Sequence, residues 1–210
     1  MDSLDSAWSG TGDKKLFSII SDPNYYLRTV SLETEFLPKL EQWFNDVLIN
    51  RKEEIRVSSP RDTDSILLNI IHLTTTKATD ALNDKTYDIE HIAPKNLLKK
   101  ILLKYNNGLP EEEKTRLPIS SIGNMCYLPT HLNRSKEDKT IYHANLSADD
   151  LRIVEEKYTF TKPSDLAFID ECDNLTAKEF KDKYLTFVKE RFYKNLVPLI
   201  REFLFSSVNF

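Results

Sequence analysis

The fold of this chain depends on one stretch of sequence, Tyr87-Asp88-Ile89-Glu90-His91-Ile92-Ala93-Pro94. Alternating, β-favouring residues run through its first half and predict a short β-strand, and Pro94 forces the chain to turn. A carboxylate, Glu90, stands directly before a histidine, His91. Because these side-chain types serve as metal ligands and proton acceptors, the stretch also marks a candidate site.

A second stretch downstream completes the pattern: Ile122-Gly123-Asn124-Met125-Cys126-Tyr127-Leu128-Pro129-Thr130-His131-Leu132-Asn133-Arg134-Ser135-Lys136. Its segment Met125 to Leu128 predicts a partner strand for Tyr87 to Glu90. Pro129 favours the start of a helix that carries Asn133. The two stretches together supply a base, metal ligands and a hairpin-to-helix frame, which we interpret as a metal-dependent phosphodiesterase site.

This interpretation follows from the chemistry of DNA hydrolysis. The reaction needs a base to activate water, a cation to neutralise charge on the phosphate, and ligands for that cation. A histidine suits the base, and carboxylate and amide oxygens suit a hard cation such as Mg²⁺. The residues that supply this set are Asp88, Glu90, His91, Asn124 and Asn133. In a regular strand Glu90 and His91 would point to opposite faces, so both reach one phosphate only if the strand ends or bulges there.

These residues resemble the HNH, or ββα-metal, nucleases. The pair Glu90-His91 matches the first-strand pair of that family, and the spacing from Asn124 to Asn133 equals that in the HNH domains of CRISPR effector nucleases. The overall form is most similar to the C-terminal nuclease domain of GmrSD-type restriction enzymes and related phage-defence proteins. The resemblance covers roughly residues 87–143, and the zinc-binding cysteine pairs and second-strand histidine of many HNH proteins are absent.

The resemblance implies a role for each residue. Glu90 and Asn133 would be metal ligands, His91 the general base, and Asn124 the residue that braces the loop and orients the base. Asp88 stays open between a third ligand, a partner of the base and a turn residue. The expected metal is Mg²⁺, with Mn²⁺ as the alternative. The expected partners are DNA and an upstream nucleotide-dependent sensor domain or subunit.

Basic residues flank both motifs. A stripe on the predicted helix after Pro94 and a cluster after Asn133 are candidates for DNA contact, and His143 lies just beyond them. The candidates are Lys95, Lys99, Arg134, Lys136, Lys139 and His143. Contacts of this kind would position DNA without reading its sequence, and the alternative is an ordinary solvated helix face.

Composition limits the class of protein. The chain has 210 residues, 40% hydrophobic and 30% charged, which is typical of a globular domain. A net charge of −4 argues against coating nucleic acid by bulk electrostatics, and four glycines leave no phosphate-cradling glycine-rich loop. We expect the two cysteines to be small packed residues. No apolar run is long enough to span a bilayer and no signal peptide begins the chain, so we expect a cytoplasmic protein without a membrane partner.

Helical periodicity dominates the remainder, so the predicted fold class is mainly α (α+β), a helical domain enclosing a small ββα-metal HNH core. The predicted parts are a flexible lead or linker over 1–13, a helical lead over 14–84, the core over 85–145 with a helical insertion over 95–105, and C-terminal helices over 146–210 that pack on the core. Within the lead, the pattern predicts Ile66, Leu67, Ile70, Ile71 and Leu73 on the buried side of a helix from about Thr63 to Leu82.

The favoured function is that of an HNH endonuclease that nicks or cuts DNA, as the effector part of a restriction or anti-phage defence protein. The first alternative is a catalytically inactive HNH-like helical module that binds DNA or a partner domain. The second is an enzyme that cuts RNA.

Overall fold

The computed structural model describes residues 33–50, 62–75 and 87–205. The predicted lead over 1–13, the beginning of the helical lead over 14–84 and the last residues of the helix expected to reach Leu82 lie outside these ranges. Within them the chain is mainly helical with a two-stranded antiparallel hairpin, as predicted.

In the described part of the chain before the hairpin there are two helices, α1 (Glu33–Asn50) and α2 (Asp62–Thr75). Pro38 lies inside α1. The predicted buried side of α2 is partly wrong. Leu67 and Ile71 are buried as expected, and Leu68 joins them, whereas Ile66 is 47% exposed and Leu73 is 61% exposed. The buried stripe is therefore narrower than the apolar composition of α2 suggested, because six of the eight residues from Ile66 to Leu73 are apolar and periodicity cannot identify the inner face.

The hairpin consists of β1 (Tyr87–His91) and β2 (Met125–Pro129). The strands are antiparallel, with Glu90 opposite Cys126 and His91 opposite Met125. This pairing confirms the predicted partner strand. Because the two strands lie far apart in the sequence, the intervening segment must leave the hairpin and return to it.

That segment contains α3 (Lys95–Tyr105), which has the bounds predicted for the helical insertion. Asn106 ends it and holds the following loop, since its side chain donates to the Thr115 carbonyl at 2.9 Å and accepts from the Thr115 amide at 2.8 Å. After β2, Pro129 leads into α4 (Thr130–Lys136), which carries Asn133. The order strand, strand, helix thus places a short helix directly at the end of the hairpin.

Four further α-helices follow within residues 137–205, namely α5 (Ala148–Val154), α6 (Ala167–Asp170), α7 (Ala177–Arg191) and α8 (Val197–Phe205). Ser147 caps α5 by accepting a hydrogen bond from the Asp150 amide at 3.1 Å. A five-residue π-helical segment, Phe192–Leu196, joins α7 to α8. It lies just before Pro198, which has no backbone N–H to donate, so the helix changes its hydrogen-bond register ahead of this proline.

Helix α7 is the central support of the hairpin. It packs against the short turn Ile122–Asn124, called here the Gly123 turn, so closely that a Cβ added at Gly123 would lie 2.4 Å from the Val188 carbonyl oxygen. The Phe44 ring of α1 stacks on Phe192 just beyond α7, with centroids 3.7 Å apart. None of the helices in the described ranges is both long and apolar enough to cross a membrane.

Candidate active site

A cavity of about 440 Å³ opens at the end of the hairpin. Three of the residues predicted to carry chemistry, Glu90, His91 and Asn133, line it together, as do the basic residues Lys95 and Arg134. The remaining lining residues are Ile89, Pro94, Asn96, Glu137 and Asp138. Side chains from β1, α3 and α4 therefore converge on one space.

The ending of β1 lets neighbouring residues reach the same cavity. Glu90 and His91 alternate along the strand, but β1 stops at His91. The next amide, that of Ile92, donates to the Asn124 backbone carbonyl at 2.9 Å. The hydrogen bond draws the chain toward the Gly123 turn, so the opposite orientations expected of a continuous strand do not separate the two side chains.

Asn124 is fully buried and holds two loops with its side chain. Its Oδ1 accepts from the Ala93 amide at 2.8 Å, and its Nδ2 donates to the carbonyls of Ala93 at 3.2 Å and Ile119 at 2.9 Å. The bracing contacts expected of this residue are present. They act on the backbone after His91, however, and not on the imidazole itself.

The contact to the imidazole comes from Ser120. Its hydroxyl lies 3.3 Å from Nε2 of His91. Sequence reasoning did not single out this serine, because the loop between the two motifs has no periodicity that would orient it. Its position shortly before the Ile-Gly-Asn segment was the only available signal.

Burial lowers the pKa of His91 to about 4. The charges of Lys136 and Lys95 act in the same direction, while Glu90 opposes them. An imidazole with this pKa is neutral at pH 7 and retains a lone pair that can accept a proton.

Lys136 is placed differently from the prediction. Instead of an exposed phosphate contact it is a buried ion-pair partner, only 1% exposed. Its ammonium donates to Glu90 Oε1 at 2.8 Å and to the His91 backbone carbonyl at 3.0 Å. A lysine buried this deeply needs such partners, because an unpaired charge would carry a large desolvation cost. The pair ties α4 to the end of β1.

Asp88 lies within β1, so its interpretation as a turn residue is wrong. Its Oδ2 accepts a hydrogen bond from Asn133 Nδ2 at 3.2 Å. Because the amide nitrogen of Asn133 is used in this way, its oxygen is the atom that can ligate a cation. Asp88 therefore orients a candidate ligand.

The oxygen atoms of Glu90 and Asn133 fit a hard divalent cation. Mg²⁺ is commonly held by one or two protein oxygens together with water and substrate phosphate. Within residues 33–50, 62–75 and 87–205, no three His, Cys, Asp or Glu side chains are grouped as a metal site. A cation bound by Glu90 and Asn133 would therefore take its other ligands from water and phosphate. It would also meet the Lys136 ammonium on the same carboxylate.

Three other predicted DNA contacts, Lys99, Lys139 and His143, do not line the cavity. His143 is half-exposed, with Nδ1 2.8 Å from the Thr140 hydroxyl and Nε2 3.5 Å from Asp170 Oδ1. Of the six basic candidates, Lys95 and Arg134 line the cavity and Lys136 is buried against Glu90. The remaining three, Lys99, Lys139 and His143, stay candidates for contacts further along a bound strand.

A larger groove of about 680 Å³ lies along α7 and holds none of the predicted site residues. Two of its three lysines, Lys183 and Lys194, are paired with Glu171 and Glu190. A groove of balanced charge with no convergent base or ligand set is a weaker candidate for catalysis than the smaller cavity at the hairpin.

Sequence reasoning also missed Arg191, the buried residue that anchors this region. The guanidinium is 3% exposed and donates only to backbone carbonyls. Burial lowers its pKa to about 10, so it stays charged at neutral pH. Its acceptors are Ile122 at 3.2 Å, Gly123 at 3.1 Å, Met125 at 3.0 Å, Tyr158 at 3.4 Å and Thr159 at 2.6 Å. The planar fork thereby joins α7 to the turn that carries Asn124.

Comparison of the chain with known protein families, curated proteins and solved structures finds no match. The assignment of the site consequently depends on its own geometry and chemistry.

Proposed function

We propose that this chain is a metal-dependent endonuclease of the HNH type that hydrolyses DNA phosphodiester bonds. The observation that carries the proposal is the convergence of Glu90, His91 and Asn133 on one cavity at the end of the hairpin. A neutral base and two oxygen ligands around a common space are the groups that phosphodiester hydrolysis requires.

Each residue then has a chemical task. His91 takes a proton from the attacking water at its neutral imidazole. Glu90 and Asn133 hold Mg²⁺ or Mn²⁺, which when bound stabilises negative charge on the phosphate and the departing oxygen. Lys95 and Arg134, which line the same cavity, attract and orient the phosphate backbone. Asn124 keeps the chain after His91 in place through its contacts with Ala93.

The test is nicking of supercoiled plasmid by the full chain with Mg²⁺ or Mn²⁺. We expect cleavage that stops when a chelator is added and that falls by at least about 100-fold in His91→Ala, since general-base catalysis contributes on this scale. His131→Ala is the matched control, because His131 is exposed on α4 and does not line the cavity. Equal activity of His91→Ala and the control would overturn the mechanism.

The substrate and setting belong to the same proposal. We propose DNA rather than RNA as the substrate, and the same cleavage assay with RNA tests this preference. We further propose that the chain is the cytoplasmic effector of a restriction or anti-phage defence protein and works with a nucleotide-dependent sensor domain or subunit. The basic residues at the cavity hold phosphate without reading bases, so target choice would come from that partner.

One observation favours a second function, an inactive HNH-like module that binds DNA or a partner domain. The Lys136 ammonium already occupies one oxygen of Glu90, the carboxylate proposed to hold the metal. In an inactive module this ion pair would be permanent. Fluorescence anisotropy of labelled DNA with and without Mg²⁺, alongside the cleavage assay, separates the two functions. Binding that ignores Mg²⁺ and is never followed by cleavage would favour the module.

A further inference from the structure

The contact between Ser120 and His91 is held from both sides. Ser120 is 7% exposed, and its hydroxyl lies 3.3 Å from Nε2 of His91. The Tyr184 hydroxyl of α7 donates to the Pro118 carbonyl at 3.0 Å, and Asn124 Nδ2 donates to the Ile119 carbonyl at 2.9 Å. The two residues before Ser120 are thus tied to the core, so the serine is presented to the imidazole by a fixed backbone.

A neutral imidazole carries one N–H, and the partner of one nitrogen decides the state of the other. If His91 Nε2 carries the hydrogen and donates it to Ser120, Nδ1 keeps a lone pair. If Ser120 instead donates to Nε2, the hydrogen resides on Nδ1. In that second tautomer both ring nitrogens are engaged, and the ring cannot accept a proton from water.

We propose that Ser120 is a positioning residue that holds His91 in the tautomer with its hydrogen on Nε2, so that Nδ1 is the atom that accepts the proton of the attacking water. The catalytic consequence rests on the proposed nuclease function. Ser120 thereby takes over a task that the motif pattern assigned to Asn124, whose side chain contacts the neighbouring backbone of Ala93 and Ile119.

The tautomer can be read directly by ¹⁵N NMR of the histidine rings in the full chain, at pH 7 with a chelator present. His91→Gln identifies the His91 signals among those of the four histidines. We expect an Nε2–H ring in the unsubstituted chain and a mixture of both tautomers in Ser120→Ala.

Ser121→Ala is the matched control. Ser121 is the next residue and is 1% exposed, and its hydroxyl makes no hydrogen bond within the part of the chain that the structure describes. The change removes the same atom one position away without touching His91, so the tautomer should stay as it is. An Nδ1–H ring in the unsubstituted chain, or the same tautomer in Ser120→Ala as in Ser121→Ala, would overturn the proposal.

Cleavage kinetics supply the second measurement. We expect Ser120→Ala to lower kcat by about 10-fold, a fraction of the full contribution of a general base, with KM unchanged because Ser120 does not line the cavity. Ser121→Ala should leave both constants unchanged.

The two measurements separate the positioning role from the nuclease function. A tautomer that depends on Ser120 in a chain that cleaves nothing supports the positioning role and overturns the nuclease function. The opposite result is cleavage that depends on His91, with kcat and the tautomer both unchanged in Ser120→Ala. It supports the nuclease function and overturns the positioning role.

Discussion

The partly buried imidazole of His91 makes the free energy of unfolding depend on pH. The folded chain resists protonation until about pH 4, whereas the unfolded chain binds the proton near the ordinary pKa of about 6.5. The neutral imidazole therefore makes its full contribution to the free energy of unfolding above about pH 6.5. This contribution is lost as the pH falls toward 4, and the total loss is about 3 kcal/mol.

We expect the unsubstituted chain to lose about 2 kcal/mol more stability than His91→Gln between pH 7 and pH 5. Denaturant unfolding with a chelator present measures the difference, and using the difference removes the contribution of carboxylates common to both chains. Parallel pH profiles of the two chains would mean that the imidazole stays solvated in the folded state.

The ion pair between Glu90 and Lys136 is the second residue-scale feature that can be measured. Because Lys136 is buried, we expect a coupling free energy of about 1–3 kcal/mol in a double-mutant cycle with Glu90→Gln and Lys136→Met. The exposed pair Glu190 and Lys194, at 2.9 Å on α7 and the π-helical segment, is the control and should give no more than about 0.5 kcal/mol. Urea unfolding of the variants gives both couplings. Similar values for the two pairs would contradict the buried geometry.

Among the elements, α7 controls the position of the Gly123 turn through Arg191. Arg191→Met should lower the free energy of unfolding by at least about 3 kcal/mol, because several buried carbonyls lose their donor together. Arg191→Lys should recover little of this loss, since a single ammonium cannot reproduce the planar fork.

Arg152→Met is the control for this change. Arg152 is an exposed arginine of α5, paired with Glu156 at 3.6 Å. Removing it should change stability by at most about 0.5 kcal/mol. Thermal and urea unfolding measure the stability of all three variants. An equal effect of Arg191→Met and Arg152→Met would contradict the role of α7 in holding the Gly123 turn.

Local patterns predicted the elements well where the pattern is specific. Alternation marked β1, and the proline after it together with helical spacing marked α3. The failures share a cause. On α2 the dense apolar run placed Ile66 and Leu73 on the predicted buried side although both are exposed, and the π-helical register change between α7 and α8 depends on tertiary packing. Neither is encoded within a window of a few residues.

For the molecule as a whole, the hairpin cannot be separated from the C-terminal helices. Tyr184 and Arg191 supply hydrogen bonds to the loops that carry Ser120 and Asn124. We therefore expect the fragment 85–145 to remain unfolded when it is produced alone. At the size of this fragment a single hydrophobic core is only marginally stable. Circular dichroism and ¹H–¹⁵N spectra of the fragment and the full chain test this. Cooperative unfolding of the fragment alone would contradict it.

The motif residues of the candidate site could be predicted from the sequence, whereas the residues that hold them in position could not. Glu90, His91 and Asn133 are recognisable because their chemistry and order recur in short motifs. Ser120 and Arg191 are an ordinary serine in a loop and an ordinary arginine at the end of a helix. Their roles arise only from long-range packing, which a single sequence does not display.

The ion pair of Lys136 has a practical consequence for handling the protein. Many small metal-binding domains fold only when the metal ion is bound, and a chelator unfolds them. Here Lys136 balances the charge of Glu90 from within the chain, at 2.8 Å. We expect the protein to be made, purified and stored in chelator with its architecture intact. For the proposed nuclease, the cation would then be added last and would start the reaction at a chosen moment.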